Sequence, residues 1–253
     1  AACGGSTNLI LHLPAVAHAI KEKIMKVEDW IRINKLTPRL VDVLPNGPKG
    51  FPTSVFFSAG GVPEVMLKLR DEGLLNLDVT TSTGLTLNEN LDWWEQSEKR
   101  DFVRKQLKNT RNIDPEDVVN SFQNSKKKNM TSTVTFPKGN IAPEGSVVKS
   151  TAIDKTVIDD DGVYRKIGPA RIFISEADAI KAVKDKGANG VKAGDIMVVV
   201  CGGPKGTGMQ EVAQITIALK YLNHGKEVAL ITDGRFSGVS TGACIGHIGP
   251  EAL

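Results

Sequence analysis

A chain of 253 residues, 40% hydrophobic and 24% charged, holds enough apolar material to close a core without disulfide or metal staples, which sets aside disordered and fibrous classes. Its 32 basic and 29 acidic side chains leave a formal charge of +3, and only 5% of residues are aromatic, so no nucleic-acid partner is expected. No apolar run approaches the ~20 residues of a bilayer crossing, and no charged-then-hydrophobic leader opens the chain, so no membrane partner is expected and the localisation expected is cytoplasmic.

The chain begins Ala1-Ala2-Cys3-Gly4-Gly5-Ser6 and stops at Pro250-Glu251-Ala252-Leu253, and it reads as a piece of a longer polypeptide. After Ser6, the apolar positions Leu9, Ile10, Leu13, Val16, Ala17 and Ile20 share one helical face, with Pro14 expected to kink that helix or start a new one. Pro63 marks a helix start and Gly73 a helix end, Thr86 with Glu89 spells a capping box, and Asp114-Pro115-Glu116 repeats the cap-then-proline signal. Residues 1–125 therefore read as mostly helical. The polar run 124–129, rich in lysine, reads as a solvated linker.

From 126 to 253 the pattern changes. Segments 132–136, 146–153, 170–174, 196–201 and 227–232 are β-branched runs closed by Gly, Pro or Asp, and read as strands. Helices are expected after a Ser175 cap and from about Glu211 to Leu222. The fold class expected is α/β.

Two segments can carry chemistry. Gly202-Gly203-Pro204-Lys205-Gly206-Thr207-Gly208-Met209-Gln210-Glu211 joins a strand to a helix and would aim backbone N–H groups at an anion, although it matches neither the G-x-G-x-x-G nor the Walker fingerprint. Glu211 itself reads either as a partner of the helix dipole or as a ligand for a hard cation such as Mg²⁺. In Thr232-Asp233-Gly234-Arg235-Phe236-Ser237-Gly238, glycines frame a turn that can push Ser237 into a cleft. Asp233 and His247 are the nearest candidates for an acyl-transfer triad, but the segment is G-x-x-S-G and not the G-x-S-x-G elbow, and from the residues alone Ser237, Ser240 and Thr241 read first as turn hydroxyls. His12, His18, His224 and His247 form no clustered ligand set, and Cys3, Cys201 and Cys244 spell neither a disulfide framework nor a metal knuckle.

Gly4-Gly5-Ser6-Thr7-Asn8, Gly139-Asn140-Ile141-Ala142-Pro143-Glu144-Gly145, 203–211 and 229–238 together resemble, in order and spacing, the dihydroxy-acid and sugar-acid dehydratase family, which includes phosphogluconate dehydratase. Segments 29–35, 43–48, 90–95 and 240–247 look like its bacterial D-xylonate dehydratase branch. The resemblance implies a two-domain enzyme in a homodimer or homotetramer, of which this chain holds the helical end of an α/β N-terminal domain (1–125) and an incomplete β-barrel-like C-terminal domain (126–253). It implies Mg²⁺ and an iron–sulfur cluster whose ligands lie upstream, so the cysteines here are not cluster ligands. Carried over by motif, Glu211 is the one Mg²⁺ ligand and Ser237 the base that takes the C2 proton. Val239 stands where many relatives have Thr, which leaves Ser240 or Thr241 to bind the substrate carboxylate. The implied reaction turns an aldonic acid such as D-xylonate into a 2-keto-3-deoxy acid. Rivals are a 2,3-dihydroxy acid dehydratase of branched-chain amino-acid synthesis and a non-catalytic anion-binding fragment.

Overall fold

The computed structural model describes residues 1–44, 46–130, 132–237 and 242–252. Helices come first in chain order: α1 (Leu9–Ala19), α2 (Val27–Leu36), α3 (Thr53–Ser58), α4 (Gly61–Asp71), α5 (Leu87–Glu95), α6 (Glu98–Arg111), α7 (Pro115–Val118) and α8 (Phe122–Lys127). Strands and helices then alternate: β1 (Gly145–Val148), β2 (Ala170–Phe173), α9 (Glu176–Lys184), β3 (Ile196–Val199), α10 (Pro204–Thr207), α11 (Ala213–Lys220), β4 (Ala229–Thr232) and β5 (Cys244–Gly249). The fold is α/β, as expected. Two compact units share the chain, one made of residues 1–4 and 35–132, the other of 5–34 and 133–253.

In the first unit the helix starts follow the local chemistry. Thr86 accepts from the Glu89 N–H while the Glu89 carboxylate accepts from the Thr86 N–H at 2.7 Å, which closes the capping box before α5. Ser97 caps α6, and Asp114 caps α7 with Pro115 in its first turn. Pro63 is the third residue of α4 rather than the first, because Gly60, at φ 113°, makes the turn into that helix. Leu40, Val55, Ala59, Leu107, Val118 and Phe122 pack the core. Glu64 sits in it fully buried, bound by Arg100 Nε at 2.9 Å and Arg104 Nη1 at 3.2 Å.

The lysine run expected to be a linker is instead largely helical. Ser121 caps α8 by accepting from the Asn124 N–H, Phe122 and Ser125 are buried, and Lys126 and Lys127 fall in the last turn, where cations suit the helix dipole. Lys128 bonds Asp117 and Asn120 at 3.0 and 2.7 Å. A cap and two buried residues outweigh the polarity of the segment.

The second unit is built on a sheet of order β1-β5-β4-β3-β2, in which β2, β3, β4 and β5 run parallel and β1 is antiparallel to β5. The β2–α9–β3 and β3–α11–β4 connections lay α9 and α11 side by side, over a core that includes Met197, Val199, Ile215 and Leu230. The opposite face carries Ile172, Ile196, Val198 and Ile231; the last three, with Ile141, border an apolar cavity of about 480 Å³. Asn34 reaches into this unit's later part, its side-chain amide donating to the Val134 carbonyl at 3.0 Å.

Several expected strands are shorter than their β-branched runs. Within 132–136 the structure has a single bridge, Thr135 to Val148, and β1 gives way at residue 150 to a short 3-10 turn. The helix expected after Ser175 is present and capped as expected. α1 continues through Pro14 as one helix. β5 was not apparent in the sequence, since its two glycines and His247 give it little strand character. Among the described residues, no helix is long and apolar enough to cross a membrane.

Candidate functional site

The parallel strands β3, β4 and β5 all end at one edge of the second unit. In an open α/β sheet the crevice outside the carboxyl ends of the strands is where ligands bind. Here that edge holds a cavity of about 440 Å³ whose wall includes Glu144, Lys205, Met209, Asp233, His247 and Glu251. Cys201, Met209 and His247, at φ 64°, 68° and 51°, adopt the left-handed backbone that side chains rarely accept, and such residues collect where a site imposes its own geometry.

The Gly-rich loop after β3 does hold an anion, and the anion belongs to the chain. Asp233, at the end of β4, accepts hydrogen bonds from the N–H groups of Cys201 (3.1 Å), Gly202 (2.8 Å) and Ala252 (3.0 Å). Glu251 accepts from those of Lys205 (3.0 Å) and Gly206 (2.7 Å). A Cβ at position 203 would come within 2.6 Å of the Glu251 side chain, so glycine there is what lets the carboxylate seat.

Glu211 does not lie in a helix. The helix expected to start at it begins at Ala213, because the chain before it pairs with the segment after β4: Arg235 donates its N–H to the Gln210 carbonyl at 3.0 Å, and Val212 donates to the Arg235 carbonyl at 2.9 Å. This parallel bridge sets Glu211 beside Arg235, which removes the helix-dipole reading. The Arg235 guanidinium locks the junction, with Nε donating to the Met209 carbonyl at 2.7 Å and Nη1 to Asn8 Oδ1 at 3.4 Å. Ser237 is half-buried, two residues beyond the position facing Glu211, a span of no more than about 7 Å of chain. Ser240 and Thr241 lie outside the described residues.

As a metal donor Glu211 fits in part. It is half-buried, and no hydrogen bond or ion pair among the described residues engages its carboxylate, which leaves an open hard-oxygen donor of the kind Mg²⁺ takes. Among the described residues no three His, Cys, Asp or Glu side chains converge on one point, so Glu211 supplies a single ligand. The cysteines do not fit a cluster: Cys244 is buried in the core with its thiol pushed up by burial, Cys201 Sγ donates to the Ala252 carbonyl at 3.2 Å, and Cys3 belongs to the other unit.

Among the described residues no acyl-transfer triad forms. The Asp233 carboxylate is engaged by backbone N–H groups, and His247 Nε2 is buried without a hydrogen-bond partner among the described residues. Burial, with the Arg235 cation adding to it, holds the His247 imidazole down at about 4, so it is neutral at pH 7. Its ring meets Phe236 edge-on, with centroids 6.2 Å apart. Of these residues, Glu251 and Arg235 carried no sequence signal of their roles, because their partners lie dozens of positions away.

Residues 117–253 match the profile of the dihydroxy-acid/6-phosphogluconate dehydratase C-terminal region, and residues 1–90 that of the N-terminal region. The whole chain is 59% identical to each of two proteins of Escherichia coli strain K12, D-xylonate dehydratase YjhG and D-xylonate dehydratase YagF. It is 40% identical to the dihydroxy-acid dehydratase of Picrophilus torridus. The chain spans 38% of the length of the first two and 40% of the third. With profiles of both regions matched in order and relatives aligned from end to end, the chain belongs to the dihydroxy-acid/6-phosphogluconate dehydratase family.

Proposed function

We propose that this chain supplies Ser237 and Glu211 to the active site of a dehydratase that converts an aldonic acid such as D-xylonate into a 2-keto-3-deoxy acid and water. The observation that carries the reading is the pairing of Glu211 with Arg235, which joins a carboxylate unengaged among the described residues to the segment bearing Ser237 at the crevice of the sheet. The sugar-acid substrate is supported by 59% identity to the two D-xylonate dehydratases against 40% to the dihydroxy-acid dehydratase. The anion-binding alternative is disfavoured by Asp233 and Glu251, which already take the N–H groups of Cys201, Gly202, Lys205 and Gly206.

In this reading Ser237 Oγ, as the alkoxide, takes the C2 proton. The C2–H electron pair delocalises into the substrate carboxylate and then forms the C2–C3 double bond as the C3–O bond breaks; the departing hydroxide gains a proton and leaves as water, and the enol tautomerises to the keto acid. Mg²⁺, held in part by Glu211, would neutralise the charge developing on the substrate carboxylate. The ligands of an iron–sulfur cluster would come from residues outside this chain. Ser240 or Thr241 would bind the substrate carboxylate, and the homodimer or homotetramer is part of the same proposal.

The test uses the longest natural polypeptide that contains this chain, purified anaerobically with Mg²⁺ and offered D-xylonate and 2,3-dihydroxyisovalerate side by side. Keto-acid formation from xylonate, abolished in a folded Ser237→Ala variant, is the expected result. Preference for dihydroxyisovalerate would move the enzyme to the other branch, and near-normal turnover by Ser237→Ala would remove Ser237 as the base.

A further inference from the structure

We propose that Glu251 is the resident anion of the Gly-rich loop and a positioning residue that sets the placement of Glu211. The positioning half rests on the reading of Glu211 as a divalent-cation ligand. Hydrogen bonds and the short covalent steps between them join Glu251 to the neighbours of Glu211. Glu251 accepts from Lys205 and Gly206, the first residues of the loop to follow Pro204, and these charge-assisted bonds are about twice as strong as neutral ones. Inside the loop, Thr207 Oγ1 donates to the Gly202 carbonyl at 2.9 Å, the Met209 N–H donates to the Gly203 carbonyl at 3.1 Å, and the Gln210 N–H donates to Thr207 Oγ1 at 3.0 Å. Gln210 and Val212, the neighbours of Glu211 on either side, then pair with Arg235. A shift at Lys205 and Gly206 therefore reaches the backbone of Glu211 through bonds that leave it little freedom.

The carboxylate is itself held from behind. The next residue, Ala252, gives its N–H to Asp233 and takes the Cys201 thiol on its carbonyl. Asp233 also binds the start of the loop, so one end of the clasp grips both the loop and the segment that carries Glu251. The glycine at 203 fits the same purpose, since any side chain there would strike Glu251. Gly206 is required independently, because its Cβ would lie 2.2 Å from the Cys201 carbonyl oxygen. A loop shaped to surround a carboxylate, with that carboxylate pinned by its own neighbour, is a built device for holding Glu211 still.

The test compares wild type, Glu251→Ala and Glu211→Gln in the longest natural polypeptide containing this chain, with Glu251→Gln as a second variant should the alanine protein fail to fold. Hydrogen–deuterium exchange over residues 203–211 and calorimetric Mg²⁺ titration are the readouts. In Glu251→Ala, exchange at Lys205 and Gly206 should accelerate and Mg²⁺ affinity should fall about 10-fold, the usual effect of losing a group that orients a metal ligand. Sodium formate, small enough to enter the vacated place, should restore both, while sodium chloride at the same ionic strength should not. In Glu251→Gln, which retains one acceptor oxygen, the same losses should appear in weaker form. Unchanged exchange in a folded variant, or the absence of formate rescue in the alanine protein, overturns Glu251 as the loop's anion. If Glu211→Gln weakens Mg²⁺ binding and Glu251→Ala does not, the positioning role is overturned. If Glu211→Gln leaves Mg²⁺ affinity unchanged, the metal reading of Glu211 falls, while accelerated exchange with formate rescue still upholds Glu251 as the anion of the loop.

Discussion

Gly246→Ala is the substitution that most directly links packing to the candidate base. Position 246 lies in β5, and a Cβ there would come within 2.3 Å of Phe236 Cδ1, 2.8 Å of Cε1 and 3.1 Å of the Gly234 carbonyl oxygen. Carbon atoms settle at about 3.5–4.0 Å, so the ring must retreat by more than about 1 Å. Phe236 is 3% exposed and packed in the sheet core, which leaves it no free direction. Overpacking of this kind costs about 1–3 kcal/mol, and for a chain of this size each kcal/mol lowers the melting temperature by about 2–4 °C. Because Ser237 follows Phe236 directly, a displacement near 1 Å should also lower turnover by about 100-fold. Thermal unfolding and keto-acid formation are measured on the same preparation. A double variant that also carries Phe236→Leu should lose less stability than the two single changes together, since the clash is shared. Wild-type melting together with wild-type turnover in Gly246→Ala would refute the claim that this ring fixes the serine.

Glu64→Gln should destabilise the first unit by about 3 kcal/mol, since it strips the anion from two partly buried arginines. Burial raises the pKa of Glu64, but Arg100 and Arg104 overcome that and hold it below the usual carboxylate range. Its contribution is therefore present above about pH 4.5 and lost as pH falls through the lower folded value, so urea midpoints of wild type and variant should converge in acid. Midpoints that keep the same separation from pH 7 to pH 3 would contradict this. For His247 the folded pKa lies below the unfolded 6.5, so the unfolded state binds the extra proton and stability falls between pH 6.5 and about 4, by about 3 kcal/mol at most. His247→Gln should flatten that part of the pH profile, and a ring proton signal titrating near 6.5 in the wild type would show the imidazole to be solvated instead.

Features written in neighbouring residues were legible in the sequence. Thr86 with Glu89, Ser175 before α9 and Asp114 before Pro115 each cap a helix through atoms two or three positions away, so the residue types alone carry the signal. The lysines of 124–129 misled because their polarity is visible and the burial of Phe122 and Ser125 is not. Glu211 was legible as a residue of interest but not as an extended one, since its backbone partner, Arg235, lies 24 positions on. The Gly-rich loop was legible as a ring of donors, yet its anion comes from Glu251, 45 positions beyond Gly206. β5 was hidden for a related reason: Gly246 weakens the strand pattern, and its missing side chain is what admits Phe236.

The bond from Asn34 to Val134 has a kinetic consequence. It joins positions 100 apart, and nearly all the residues between them belong to the other unit. In topological terms both units are discontinuous: residues 35–132 of the helical unit interrupt the sheet unit, and residues 5–34 of the sheet unit interrupt the helical one. Closing a loop of that length costs about 4 kcal/mol of chain entropy before any contact repays it. During synthesis, residues 35–132 can gather their own core while α1 and α2, already made, still lack the strands they belong with. The sheet unit should therefore be the slow step of folding, and a nascent chain that has emerged from the ribosome only as far as residue 132 should show a protected helical unit with residues 5–34 still open to protease.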